Sequence, residues 1–369
     1  MPPTNSSSTN SLPQVNTQVL LAGRPVGMPT QENFHIVQTP LPEATPGKVL
    51  CRTIYLSLDP YMRGRMNAGR SYVEPVEVGQ VMCGSTVGQV VALGPAGQES
   101  TGKMPVPLTG GTAVPQLRQG DLVLGYGGWQ EYFLAEPGSL RKLDPAQGKL
   151  SWALGVLGMP GMTAYVGMLD IGQPKAGQTV VVSAAAGAVG SVAGQIAKLK
   201  GCRVVGSAGS DEKCQVVTGE FGFDACFNYK TTRPFAGLKK NCPSGIDVYF
   251  DNVGGVMLEA ALRLINVGAR IPLIGLISQY NATEFLPGPN LTPVLVRRAT
   301  IKGMIVSDHA DRQGDFLRDM SGWLREGKIR CRETIVDGLA NAPRAFLGLF
   351  SGENVGKLLV KVGDDPTAH

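Results

Sequence analysis

At 369 residues the chain is longer than one hydrophobic core ordinarily organises, which predicts two domains. With 43% hydrophobic and 17% charged residues it reads as a soluble globular protein, and it contains no apolar run of about 18 residues that could cross a bilayer as a helix. The formal net charge of +5 is dispersed, with only short pairs such as Lys239-Lys240 and Arg297-Arg298, which suits small anionic ligands and argues against nucleic acid as a partner.

Residues 1–16 are mostly Ser, Asn, Thr and Pro with no Arg or Lys and no apolar stretch, and read as a disordered tail that resembles neither a secretory nor a transit peptide. From 17 to about 150, short β-rich runs are broken by Gly and Pro: Val49 to Leu58, Val87 to Leu93, Asp121 to Leu124 and Glu131 to Leu134. Residues 94–118 form a Gly/Pro/Thr/Gln-rich insertion longer than most loops. The seven cysteines, at Cys51, Cys83, Cys202, Cys214, Cys226, Cys242 and Cys331, include no CxxC pair, so reduced thiols in the cytoplasm are expected.

Beyond 150 the pattern becomes strand, helix, strand: Thr179 to Ser183, a helix to Lys200, Cys202 to Val205, Ile246 to Phe250, Ala269 to Ile274 and Thr300 to Val306. Such alternation predicts an α/β fold with a doubly wound parallel sheet. Helices around Phe316 to Gly327 and Ala342 to Phe350 and a last strand from Lys357 to Val362 are placed to return onto the β-rich half.

The first strand of that series runs into Ala184-Ala185-Ala186-Gly187-Ala188-Val189-Gly190, after which Val189, Val192, Ala193, Ile196 and Ala197 share one helical face. Strand, glycine turn and amphipathic helix are the order a dinucleotide fold needs. Gly187 lets the backbone approach a pyrophosphate at a helix N-terminus, and Gly190 permits tight helix–strand packing. The alternative is a small-residue packing contact without a ligand. After the second strand, Gly206-Ser207-Ala208-Gly209-Ser210 lacks the carboxylate that accepts from an unphosphorylated adenosine ribose, and Lys213 follows. Small residues and a lysine favour NADPH over NADH.

Several motifs in one order then carry a resemblance. Tyr55-Leu56-Ser57-Leu58-Asp59-Pro60-Tyr61-Met62-Arg63-Gly64-Arg65-Met66, the 184–190 turn, Gly209-Ser210-Asp211-Glu212-Lys213, Tyr249-Phe250-Asp251-Asn252-Val253-Gly254-Gly255 and Ile277-Ser278-Gln279-Tyr280-Asn281 resemble the zinc-independent medium-chain reductases. That group includes prostaglandin reductases, plant double-bond reductases and bacterial curcumin reductases. The resemblance implies a GroES-like, mainly-β catalytic domain from 17–146 and 319–369 and a Rossmann NADPH-binding domain from 147–318. It implies that Gly187, Ala188, Val189 and Gly190 hold the pyrophosphate, that Gly209, Lys213 and Tyr229 meet the adenosine phosphate, and that Asn252 meets the ribose side. Gly275, Ile277, Ser278, Tyr280, Met304, Ile305, Val306 and Asn354 are implied at the nicotinamide end. Pro60 and the hinge residues Met159, Gly161 and Thr163 are implied beside the cofactor. A homodimer through edge strands of the Rossmann sheet is also implied, with 300–306 as the interface.

A zinc dehydrogenase site needs Cys and His ligands. Only His35, His309 and His369 are present, and where a zinc relative carries Gly-His-Glu this chain reads Met82-Cys83-Gly84-Ser85-Thr86; no metal is expected. Hydride addition to the β-carbon of an enone leaves an enolate oxygen that needs a hydrogen-bond donor. The resemblance nominates Tyr280, Tyr61 and Tyr72 as facing the substrate or the nicotinamide ribose, with Tyr280 as hydrogen-bond donor to that ribose and the α-carbon proton coming from Tyr280 or from water. Asp59 and Arg63 are read as fixing loop geometry and Trp129 as capping a core. The rival readings are a quinone reductase of the same superfamily, a pathway-specific enzyme and a non-catalytic NADPH-binding protein. Pro272, inside an expected strand, implies either a local irregularity or a position that needs no ladder bond.

Overall fold

The computed structural model describes residues 12–69, 73–95, 116–284 and 287–368. In the N-terminal part, β1 (Val15–Leu21) pairs antiparallel with β2 (Phe34–Pro40). They are followed by β3 (Val49–Ser57), the single turn α1 (Met62–Arg65), β4 (Thr86–Leu93), β5 (Leu122–Gly125), β6 (Tyr132–Ala135) and β7 (Arg141–Lys142). The polar tail is therefore shorter than expected. Val15 and Asn16 already belong to β1, because the Asn16 side chain is buried and exchanges hydrogen bonds with the backbone of Tyr132. Residues 1–11, and 96–115 of the insertion, lie outside the described residues.

The second part runs through α2 (Met159–Val166), β8 (Thr179–Val182), α3 (Ala188–Leu199), β9 (Arg203–Ala208), α4 (Asp211–Gly219), β10 (Ala225–Asn228) and α5 (Pro234–Asn241). It continues with β11 (Ile246–Phe250), α6 (Gly255–Leu262), β12 (Ile265–Leu273), α7 (Thr292–Arg297) and β13 (Thr300–Gly303). These strands form one parallel sheet in the order β10-β9-β8-β11-β12-β13. This is the doubly wound dinucleotide-binding arrangement, with the chain starting in the middle and growing outward in both directions. Every residue of β8 is buried, as expected of a strand covered by helices on both faces. On α3, Val192, Ala193, Ile196 and Ala197 are buried, as the apolar periodicity predicts, and Val189 packs against the same core.

The chain closes with α8 (Gln313–Arg325), β14 (Glu333–Asp337), α9 (Ala342–Ser351) and β15 (Lys357–Lys361). The last two strands join the N-terminal sheet in the order β14-β15-β3-β4-β5-β7, with β6 also on β3. The crossing between the two parts differs from the expected 318/319 boundary, which falls inside α8. Phe316 and Met320 of α8 and Ile329 beyond it share a core with Val180, Val182 and Phe250. At the other crossing, Leu150, Ala153 and Leu154 pack with Ile54, Tyr55 and Val87 and so side with the β-rich part.

Two further details depart from the expected strands. The run from 300 ends at Gly303, since Val306–Arg312 turns into a short 3-10 segment against α2. Pro272 sits within β12 opposite Lys302, and its carbonyl accepts from the Asp251 N–H at 2.9 Å. The irregularity of this strand lies earlier, where the β11–β12 register shifts between the Ile246 and Val248 pairs and Gly268 adopts φ +73. Trp129 is fully buried, stacked on Phe34 at 5.5 Å and edge-on to Phe346, and so caps the N-terminal core.

Candidate active site

β8 and β11 are neighbours, yet β8 leads to β9 on one side and β11 to β12 on the other, which opens a crevice at their carboxyl ends. The turn after β8 is held in an unusual conformation: Ala184, a non-glycine residue, has φ +50. A Cβ on Gly190 would stand 2.4 Å from the Ala184 carbonyl oxygen and one on Gly187 at 3.2 Å. The two glycines thus let α3 begin directly on the turn, and its first-turn N–H groups face the crevice. Across from it, the buried Asp251 accepts from Ser183 Oγ, Tyr249 Oη and the N–H groups of Val253 and Gly254 at 2.9–3.1 Å. Burial pushes this carboxyl upward despite those donors. Asn252 donates its Nδ2 to the Ser183 carbonyl at 2.7 Å, so the two loops are locked together. Gly356 donates to the Ala186 carbonyl at 2.7 Å and receives Asn354 Nδ2 on its own carbonyl, which brings Asn354 beside the glycine turn.

At the outer end of the crevice, Ser210 caps α4 by accepting from the Lys213 N–H, and Lys213 projects to the Gly352 carbonyl at 2.7 Å. Lys230 reaches the Ser351 carbonyl at 3.5 Å. Both ammoniums therefore sit at the carboxyl terminus of α9, where the helix dipole favours cations. Burial, and secondarily Lys230, lowers the Lys213 pKa. The Tyr229 hydroxyl lies 3.2 Å from where a Gly209 side chain would begin, so Gly209 keeps the space beside that phenol clear. Two cations and a phenol around a small-residue strand end fit a phosphate monoester. The sequence reasoning missed Lys230; its signal was a second lysine directly after Tyr229.

At the inner end, Ile277 and Ser278 hang from the carbonyls of Asn252 and Val253, and Ser278 Oγ donates to the Val253 carbonyl at 2.6 Å. The Tyr280 hydroxyl comes within 3.3 Å of the position a Gly275 Cβ would take, so the phenol closes over a glycine floor. Burial raises the Tyr280 pKa above the ordinary phenol value. α2, which carries Met159, Gly161 and Thr163, packs against the Val306–Arg312 segment that follows Met304 and Ile305. Gly161 permits this helix to start, since a Cβ there would meet the Val156 carbonyl oxygen at 1.9 Å. Thr163 Oγ1 donates to the Met159 carbonyl, and the Met304 side chain is buried in the domain core.

The loop that carries Pro60 and Tyr61 belongs to the β-rich part but is tied to the Tyr280 loop. Arg63 Nε donates to Asn281 Oδ1 at 3.1 Å, while its other nitrogens hold the Gly27 carbonyl and Asn67. Asp59 forms a buried ion pair with Lys357 at 2.7 Å and accepts from Ser57. Both residues fix geometry, as expected. Tyr61 meets a tyrosine the sequence reasoning did not single out, Tyr126, with hydroxyls 3.2 Å apart. Tyr72 lies outside the described residues.

Fold and crevice define a two-domain, dinucleotide-dependent oxidoreductase. Residues 17–102 match the family model described as the N-terminal domain of oxidoreductase, and residues 188–321 the model described as zinc-binding dehydrogenase. Among the described residues no group of three or more His, Cys, Asp or Glu side chains comes together as a metal site. The NADPH-dependent curcumin reductase of Escherichia coli is 48% identical over 95% of this chain and 99% of its own length. The NADP(+)-dependent 2-alkenal reductase of Nicotiana tabacum is 40% identical over 94% of this chain and 97% of its own. The crystal structure of CurA from Vibrio vulnificus in complex with NADPH is similar with a TM-score of 0.86 at 47% identity, covering 95% of this chain and all (100%) of that one. This chain belongs to the zinc-independent medium-chain reductases, in their double-bond reductase branch.

Proposed function

We propose that the protein reduces the carbon–carbon double bond of an α,β-unsaturated ketone or aldehyde with NADPH. The observation that carries this reading is Tyr280, a phenol held over the Gly275 floor at the inner end of the dinucleotide crevice. The activities named for the curcumin and alkenal reductases support the same reaction. Gly187 to Gly190 would cradle the pyrophosphate, Lys213, Lys230 and Tyr229 the adenosine phosphate, and Asn252 and Asn354 the ribose and nicotinamide side. Bound there, the reduced nicotinamide supplies a hydride to the substrate's β-carbon. The double-bond electrons move onto the carbonyl oxygen, and Tyr280 and Tyr61 are the hydroxyls offered to that oxyanion. The proton on the α-carbon is then delivered from Tyr280 or from water.

A panel of enones, enals and quinones, followed by nicotinamide absorbance with NADPH and NADH in parallel, tests the reading. Enone turnover with NADPH preferred supports it. Quinone turnover alone moves the enzyme to the quinone-reductase reading, tight NADPH binding without turnover points to a narrow pathway substrate or a non-catalytic role, and absence of NADPH binding sinks it.

The proposed assembly is a homodimer through the edge strand β13. It is supported by the exposed Leu291, Leu295 and Val296 beside that edge, at 58%, 79% and 59% accessibility. Sedimentation as a monomer at working concentrations refutes it. The cytoplasm is the proposed compartment, supported by seven cysteines that are all free thiols.

A further inference from the structure

Tyr126 stands in the glycine-rich run Gly125-Tyr126-Gly127-Gly128, after β5, and is 43% exposed although its neighbours Val123 and Trp129 are buried. Its hydroxyl receives a hydrogen bond from Arg65 Nη1 at 3.3 Å and lies 3.2 Å from the Tyr61 hydroxyl. The Cys83 thiol and the Asp59 carboxylate are the other ionisable groups near this pair. Arg65 and Tyr61 come from one loop, which Arg63 fastens to the Tyr280 loop through Asn281. Tyr126 comes from a different part of the β-rich domain, and the Cys83 thiol is its other hydrogen-bonding side-chain neighbour.

The direction of this chain follows from its first member. A guanidinium only donates, so the Tyr126 oxygen accepts from Arg65. An oxygen that already accepts becomes a better donor, and of the two acceptors within its reach the Tyr61 oxygen is stronger than the Cys83 thiol, which favours the Tyr126 proton pointing to the Tyr61 oxygen. Tyr61 then accepts from Tyr126 and keeps its own proton free for a third group. We propose that Arg65 and Tyr126 are positioning residues that orient the Tyr61 hydroxyl as hydrogen-bond donor to the carbonyl oxygen of the substrate, where negative charge develops during hydride addition. The inference rests on the ene-reductase reading. It assigns no new bond-making step: the hydride and the α-carbon proton take the routes already described, and the Tyr61 proton is shared with the oxyanion without leaving the phenol.

The test is single-turnover reduction of 4-phenyl-3-buten-2-one by the full-length enzyme preloaded with NADPH, for wild type, Tyr61→Phe, Tyr126→Phe, Arg65→Met, Arg65→Lys and the Tyr61→Phe/Tyr126→Phe double variant, with NADPH affinity measured on each. The expected result is that Tyr126→Phe slows hydride transfer by about tenfold, the loss of one hydrogen bond to developing charge, with NADPH affinity unchanged. The double variant is expected to be no slower than Tyr61→Phe alone, because Tyr126 acts only through that hydroxyl. Arg65→Lys, which retains a donor, recovers part of the rate lost in Arg65→Met. A Tyr126→Phe rate equal to wild type, or slowing factors that multiply in the double variant, overturns the proposal while leaving enone reduction intact. Absence of wild-type turnover overturns the ene-reductase reading and this proposal together.

Discussion

Lys213 and Lys230 illustrate how a residue's role follows from what its charge is aimed at. Each spends a hydrogen bond on the last carbonyls of α9, so both ammoniums are pre-placed at a point of negative dipole and have only to turn toward a phosphate. Lys213→Ala and Lys230→Ala are each expected to weaken NADPH by roughly tenfold and leave NADH unchanged, as titration by nicotinamide fluorescence will read. Equal losses for the two cofactors would mean that the lysines merely brace α9. The Asp59–Lys357 pair is a different case, with side chains only 8% and 4% exposed. Lys357→Met strands the carboxylate, and a loss of about 3 to 5 kcal/mol in chemical denaturation is expected. Glu333, close by, has its carboxyl pKa raised chiefly by burial, against the Ser151 hydroxyl and the charges of Lys149 and Lys357. A folded pKa above the unfolded one means that the native state holds its proton more tightly, so this group's contribution to stability is full below the unfolded pKa and is lost as pH rises through the folded one. Glu333→Gln is therefore expected to gain on wild type as pH rises from the acid side toward neutrality, in melts across that range. A pH-independent difference would contradict the assignment.

At the scale of elements, close approach decides what the glycines do. α3 can start on the turn after β8 only because nothing projects from Gly190 toward the Ala184 carbonyl, and α2 only because Gly161 lies against the Val156 carbonyl. Gly190→Val forces backbone to move at both ends of the contact, since neither neighbour is a flexible side-chain tip. The expected outcome is a loss of NADPH affinity of well over about tenfold with a lowered melting temperature. A variant that melts lower yet binds NADPH normally would separate the helix contact from the phosphate cradle. The glycine turn and its helix were legible from residues 184–197 because strand, turn and apolar face follow one another locally. The Ser183–Asp251–Asn252 lock was not, because its members lie far apart in sequence and meet only when β8 and β11 pair. The end of β13 at Gly303 was likewise obscured: Met304 and Val306 look like strand residues, yet they leave the sheet to pack on α2 and the domain core.

For the molecule as a whole, the two parts are joined by covalent crossings and by a few polar ties. Of these, Arg63 to Asn281 links the loops of Tyr61 and Tyr280 directly. Asn281→Ala removes the tie without disturbing the buried end of Arg63, and the expected result is a rise in KM for enones of a few-fold with NADPH affinity retained; an unchanged KM would show that the loops hold position without it. The sequence by itself determined the two-part plan, the parallel α/β half and the glycine turn that opens α3, and it nominated Lys213, Asn252 and Tyr280 for the crevice. Each of these is written in a local pattern of apolar period, glycine spacing or contiguous motif. Only the tertiary structure decided that α8 belongs to the dinucleotide domain, that Lys230 stands beside Lys213, and that Tyr126 reaches Tyr61. A core is shared, and two side chains meet, according to which strands pair and which loops they bring to one edge, and no period along the chain records that.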